Sequence, residues 1–257
     1  MDAHAEALRS DPYTSNGTFS ATNRPGCYEL LSRMWIRATD GLVADRSKGD
    51  EWFGRLWKLH TETTRFYHTA VHLEEMLHFF RVLEERGCMS GVSETERQAI
   101  LLSIFFHDAI YESRSSSNEE NSAQLFQEFC RDTKSPDAVV NTLVDEFILA
   151  TKTHMTSDNH TVALATFLDL DMAVLGKHLE SYISYASMIR REYDFIPHDT
   201  YCQKRADVLE AFMGNRVFGT KVMYDAFEER AKENVRYEVD LLRAGSIPKK
   251  LVSVMFI

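Results

Sequence analysis

What constrains this chain most is where its helix breakers fall. Only 5 prolines and 11 glycines occur in 257 residues. Most of them lie between stretches whose apolar residues recur at helical spacing. In the stretch 70–86, for example, Val71, Leu73, Met76, Leu77, Phe80 and Leu83 form one stripe, and Gly87 closes it. The same reading predicts helices over 28–44, 51–61, 97–111, 119–131, 137–151, 161–175, 179–193, 199–213 and 221–244. Ser93-Glu94-Thr95-Glu96 reads as a capping box, Asn118 as a cap, and Ser135-Pro136 as a cap followed by a first-turn proline. No run of alternating residues supports a sheet of any size. There is no internal repeat, low-complexity segment or convincing interior linker. The expectation is an all-α chain with a single helical domain over 26–250, a flexible N-terminal segment over 1–25, and an apolar tail over 251–257 that docks or pairs as an edge strand.

Charge and cysteine usage narrow the partners. The formal net charge is −10, with 44% hydrophobic and 26% charged residues. An acidic chain of this kind is a poor binder of nucleic-acid polymers or anionic membranes, although it can hold phosphates locally through a few Arg side chains or a metal. No apolar run approaches the roughly 18 residues of a membrane span. The N-terminus lacks the basic-then-apolar pattern of a signal peptide. Cys27, Cys88, Cys130 and Cys202 are widely spread and form no CxxC pair, which points to reduced thiols in a cytoplasmic protein.

Three polar islands interrupt the apolar pattern. His107 and Asp108 end the apolar run Ile104–Tyr111 (IFFHDAIY), where an imidazole and a carboxylate are costly without a compensating partner. Upstream, Arg65, His68 and His72 fall in RFYHTAVH, with the two His residues spaced i, i+4 and so on one face of a helix. Downstream lies Leu168-Asp169-Leu170-Asp171. Folded together, the islands offer two imidazoles and two carboxylates, a mixed set that suits Mn, Mg, Co, Ni, Zn or Fe and leaves positions for water and substrate.

The order H…HD…D on successive helices resembles the HD superfamily of metal-dependent phosphohydrolases. The words RFYHTAVHLEEML, IFFHDAIY, NEENSA, ILATKTH, FLDLDMAVLG and MIRREY are similar, over about residues 50–240, to its HD-type phosphohydrolase branch of bacteria and fungi. YHTAVH also resembles an element of cyclic-nucleotide phosphodiesterases, which are distant HD relatives. The resemblance implies an HD-domain-like helical bundle and hydrolysis of a small phosphate ester or anhydride, with nucleotides as the favoured substrate class. It implies His72, His107 and Asp108 as ligands of a divalent metal, with Asp169 as the fourth and Asp171 as the runner-up. Asp169 and Asp171 cannot both reach one ion, because positions i and i+2 diverge by about 200° on a helix.

In that scheme His68 supports a ligand or protonates the leaving oxygen, or is simply hydrogen-bonded in the fold. Arg65 contacts phosphate, and Glu119 caps its helix or orients a catalytic water. His154 is placed to ligate a second metal, which a di-iron oxygenase of the same superfamily would need, or to touch substrate. Arg190, Tyr193 and Arg205 form a late basic group that binds substrate phosphate or merely pairs with nearby acids. A nucleotide-binding module without turnover and a homodimer are the remaining expectations.

Overall fold

The structure is a computed structural model that describes residues 2–15, 24–135 and 137–248. The tail 251–257 lies outside the described residues. Among those described are twelve α-helices, one 3-10 turn and no strand. No helix among them is long and apolar enough to cross a membrane. Within the span expected to form one domain, the chain divides into two compact units: one runs up to Asp171, and the other joins the N-terminal residues to those from Met172 onward.

The first unit contains helices α3 (Cys27–Thr39), α4 (Arg46–His60), α5 (Ala70–Glu85), α6 (Glu94–Phe106), α7 (Asn118–Thr133), α8 (Ala138–Ala150) and α9, which begins at Val162. Its central element is α6. Every residue from Ala99 to Phe106 is buried, and a helix apolar on all sides belongs inside a bundle. It packs against α3, α5, α7 and α8. Trp35, Trp52, Phe105, Phe106, Phe126 and Phe129 meet there at ring separations of 5.1 to 6.4 Å. Such pairs add about 0.5–1.5 kcal/mol each beyond the area they bury. The expected capping box starts α6: the Ser93 amide donates to Glu96 Oε2 at 2.8 Å and the Glu96 amide to Ser93 Oγ at 3.3 Å.

Several boundaries differ from the sequence reading: the helix expected over 28–44 ends at Thr39 and the one expected over 97–111 ends at Phe106, and three others have a visible local reason. Helix α4 begins at Arg46 and not at Glu51, because the Asp45 carboxylate accepts from the Ser47 amide at 3.0 Å and starts a turn that is all polar. Helix α8 is capped by Asp137, whose Oδ1 accepts from the Val139 and Val140 amides, and not by Ser135. Asn118 begins α7, and its side chain holds the preceding loop by exchanging hydrogen bonds with the Glu112 backbone, both at 3.0 Å. The stop at Gly87 is as expected. Gly87 takes φ 71°, and the Cys88 amide reaches back to the Leu83 carbonyl at 2.9 Å.

The second unit is organised on α12 (Lys221–Arg243), which packs against α11 (His198–Met213), the 3-10 turn Ala173–Gly176 and α1 (Ala3–Arg9); α10 (Leu179–Glu192) packs on the turn and on α2 (Pro12–Ser15). Gly176 packs closely there: a Cβ at that position would overlap Phe227. Asn234 Nδ2 donates to the Leu175 and Lys177 carbonyls, both at 2.8 Å. The N-terminal segment departs from the expectation of flexibility. Asp2 caps α1, Ala5 and Leu8 are buried, and Arg9 Nε donates to the Ala226 carbonyl at 3.2 Å. A short amphipathic helix becomes ordered here because α12 offers a surface for its apolar side.

Candidate metal centre

Three helices of the first unit deliver the centre. His72 lies in the first turn of α5, just after Thr69, and is buried. His107 is the C-cap of the central helix α6, so the fold holds it where the apolar run ends. Its Nδ1 bonds the Ile104 carbonyl at 3.1 Å. A backbone carbonyl can only accept, so Nδ1 carries a proton and Nε2 is the ring nitrogen turned toward Asp108. Asp108 follows directly, with Oδ2 at 3.2 Å from His107 Nε2. One ligand atom each of His72, His107 and Asp108 lies within 4.8 Å of the others.

The fourth group is Asp171 on α9. Its Oδ1 is 3.0 Å from His72 Nε2 and 3.8 Å from His107 Nε2. Phe167, one turn earlier, sets its ring edge-on to His107 at 5.8 Å. Asp169 was the expected fourth ligand and Asp171 the runner-up; it is Asp171 whose Oδ1 lies beside both imidazoles. Asp169 is wholly buried, while Asp171 is the carboxylate that meets the imidazoles. The two point to different sides of α9, as the helical angle between them requires.

His72, His107 and Asp108 form a group that could hold a divalent cation, with Asp171 beside it. The Nε2 atoms of His72 and His107 are buried and make no hydrogen bond. The 3.0 Å approach of Asp171 to His72 is an ion-pair distance without hydrogen-bond alignment. Ligands about 2.1 Å from a common ion stand about 3.0 Å apart at right angles and about 4.2 Å apart across it. The separations of 3.0, 3.2 and 3.8 Å lie in that range. The electrostatics agree. Burial works against a charged His107, but Asp108 and Asp171 overcome it and push this imidazole up to about 9. Burial pulls His72 below its ordinary value, partly opposed by Asp171. Both carboxylates, despite burial, are held well below the usual range, chiefly by His107. The pocket therefore favours positive charge.

The other expected site residues separate into three groups. His68 stands at the half-buried rim, stacked on Tyr111 at 4.1 Å and 27°, and its field reaches Asp108. His154 places Nε2 at hydrogen-bond distance, 2.6 Å, from Asp171 Oδ2. Arg65, expected to contact phosphate, is buried and spends its donors on the protein. Its side chain is 1% exposed. It donates to the carbonyls of His68 (3.3 Å), Asp108 (2.5 Å) and Ala109 (2.8 Å), with Nε on Glu62. It thereby ties the loop before α5 to the turn after α6.

Glu119 sits in the first turn of α7, where its charge favours the helix N-terminus. Arg190, Tyr193 and Arg205 belong to the second unit. Arg205 Nε donates to the buried Glu238 at 3.1 Å and its NH2 group to the Tyr185 hydroxyl at 3.3 Å. Arg190 donates to the Tyr193 and Ile196 carbonyls and lies over the Tyr201 ring. Sequence reasoning missed Tyr111, which takes His68 against its ring and Arg65 at 5.6 Å. An aromatic residue three positions after Asp108 is a signal only once His68 is known to lie opposite.

No protein-family model, curated protein or solved structure matches this chain.

Proposed function

We propose that this chain is a metal-dependent phosphohydrolase of HD type, acting on a small phosphate ester or anhydride, with a nucleotide as the favoured substrate. One observation carries the reading. Two buried imidazoles bring Nε2 atoms, without hydrogen bonds, to a place bounded by Asp108 and Asp171. Buried polar atoms are hydrogen-bonded in nearly all folded proteins, so two such neighbours ask for a ligand. His72, His107, Asp108 and Asp171 would hold the cation. A divalent ion there supplies a Lewis acid, which lowers the pKa of water and polarises a phosphoryl oxygen.

The chain's own side chains have distinct tasks in this reading. The Ile104 carbonyl keeps the proton of His107 on Nδ1. Arg65 keeps the turn of Asp108 against the loop of His68. His68, at the half-buried rim beside Asp108, is placed to give a proton to a leaving oxygen. Because Arg65 and Arg205 have committed donors, the cation carries most of the phosphate recognition. Metal analysis of the purified protein, with a phosphate-release screen on nucleotides in added Mn²⁺, Mg²⁺, Co²⁺ or Ni²⁺, tests the reading. His107→Ala and Asp108→Ala should each lose both metal and turnover. Turnover unchanged in either variant refutes it.

A further inference from the structure

The two oxygens of Asp171 have different neighbours. Oδ1 faces His72 and His107 at 3.0 and 3.8 Å, while Oδ2 meets His154 Nε2 at 2.6 Å. His154 is also conformationally unusual. With φ 48° it occupies the left-handed region, which among the described non-glycine residues only Lys134 shares. Its amide bonds back to the Ala150 carbonyl at 3.2 Å, so it ends the chain's exit from α8. Glycine or asparagine fills such a position at lower conformational cost. A histidine there is explained by what its side chain reaches. That side chain is 23% exposed, against 2% and 1% for His72 and His107, so it approaches Asp171 from the solvent side.

We propose that His154 is a positioning residue: by donating from Nε2 to Asp171 Oδ2, it turns Oδ1 toward the His72–His107 pair and so sets the cation affinity of the centre. It is not itself a ligand. The inference rests on the metal centre proposed above and deepens it. A carboxylate rotates freely about its terminal bond unless one oxygen is held, and partners of this kind commonly change metal affinity by about 10–100-fold when removed.

The test is Mn²⁺ titration calorimetry of the chelator-stripped full chain, paired with thermal unfolding without metal. His154→Gly fits the left-handed backbone and removes the side chain. It should bind Mn²⁺ about 10–100-fold more weakly, while its metal-free melting temperature is unchanged or higher. His154→Gln keeps an N–H near the position of Nε2 and should retain affinity close to wild type. A residue of purely structural importance could not lower affinity while leaving metal-free stability intact. Wild-type affinity in His154→Gly overturns the proposal. So does equal loss in the Gln and Gly variants, or a second Mn²⁺ per chain that disappears with His154. A wild-type protein that binds no Mn²⁺, Co²⁺ or Ni²⁺ overturns the metal centre itself, a different failure from any of these.

Discussion

Replacing Asp171 and Asp169 separately by Asn decides which carboxylate serves the cation. The structure assigns them opposite behaviours. Asp171 Oδ1 lies within 3.8 Å of both imidazole Nε2 atoms, whereas Asp169 is wholly buried in α9. Removing a partner behind a ligand costs about 10–100-fold in affinity, so removing the ligand's charge should cost at least the upper figure. With metal at about 100 times the wild-type dissociation constant, binding adds about 2.7 kcal/mol of stability; a site 100-fold weaker keeps only about 0.4 kcal/mol. For a chain of this size, about 2–4 °C accompany each kcal/mol. Metal should therefore raise the wild-type melting temperature by roughly 5–11 °C and that of Asp171→Asn by only about 1–2 °C. Asp169→Asn should melt lower than wild type without metal, because it disturbs a buried group, yet show the full metal-induced rise. Thermal unfolding with and without Mn²⁺ reads both. The reasoning is refuted if the rise survives in Asp171→Asn and vanishes in Asp169→Asn.

Two further outcomes follow from the same geometry. Arg65→Ala removes the donors to three backbone carbonyls and should cost about 3 kcal/mol in urea unfolding, with little recovery in Arg65→Lys, since an ammonium cannot span the fork; a loss under about 1 kcal/mol would contradict the bracing role. Glu84 is held below its ordinary value near 4.5, first by Arg37, whose two nitrogens bond it at 2.6 Å, against an opposing effect of burial. A depressed carboxylate stabilises above its unfolded value and loses that contribution as pH falls through the folded one. Glu84→Gln should thus be destabilising by about 1 kcal/mol at pH 7, after solvent screening, and the gap should narrow as pH falls below the ordinary value of about 4.5. A difference that is constant from pH 7 to pH 3 would show that the pair contributes no charge-dependent stability.

The helical nature of the chain and most of its helix positions were legible in the sequence. Apolar period, capping residues and glycine stops are local, and a helix closes its hydrogen bonds within itself. The capping box at Ser93 and the stop at Gly87 needed no knowledge of the rest of the molecule. Where a neighbour decided the outcome, local reading failed. The segment before Arg9 looked unstructured until α12 supplied a face for Ala5 and Leu8. The three polar islands could also be picked out, because a His-Asp pair at the end of an apolar helix has a desolvation cost visible in one dimension.

What one dimension could not supply was direction. Asp169 and Asp171 are equally acidic and two residues apart, and only the rotation of α9 against α5 and α6 turns the second toward the imidazoles. Arg65 and Arg205 read as phosphate ligands because a guanidinium is a general anion receptor. The fold instead surrounds one with carbonyls and pairs the other with Glu238. The sequence by itself determined the inventory of helices and of metal-seeking side chains. The tertiary structure alone decided which of those side chains share a space, since a residue's partner depends on packing between segments distant along the chain.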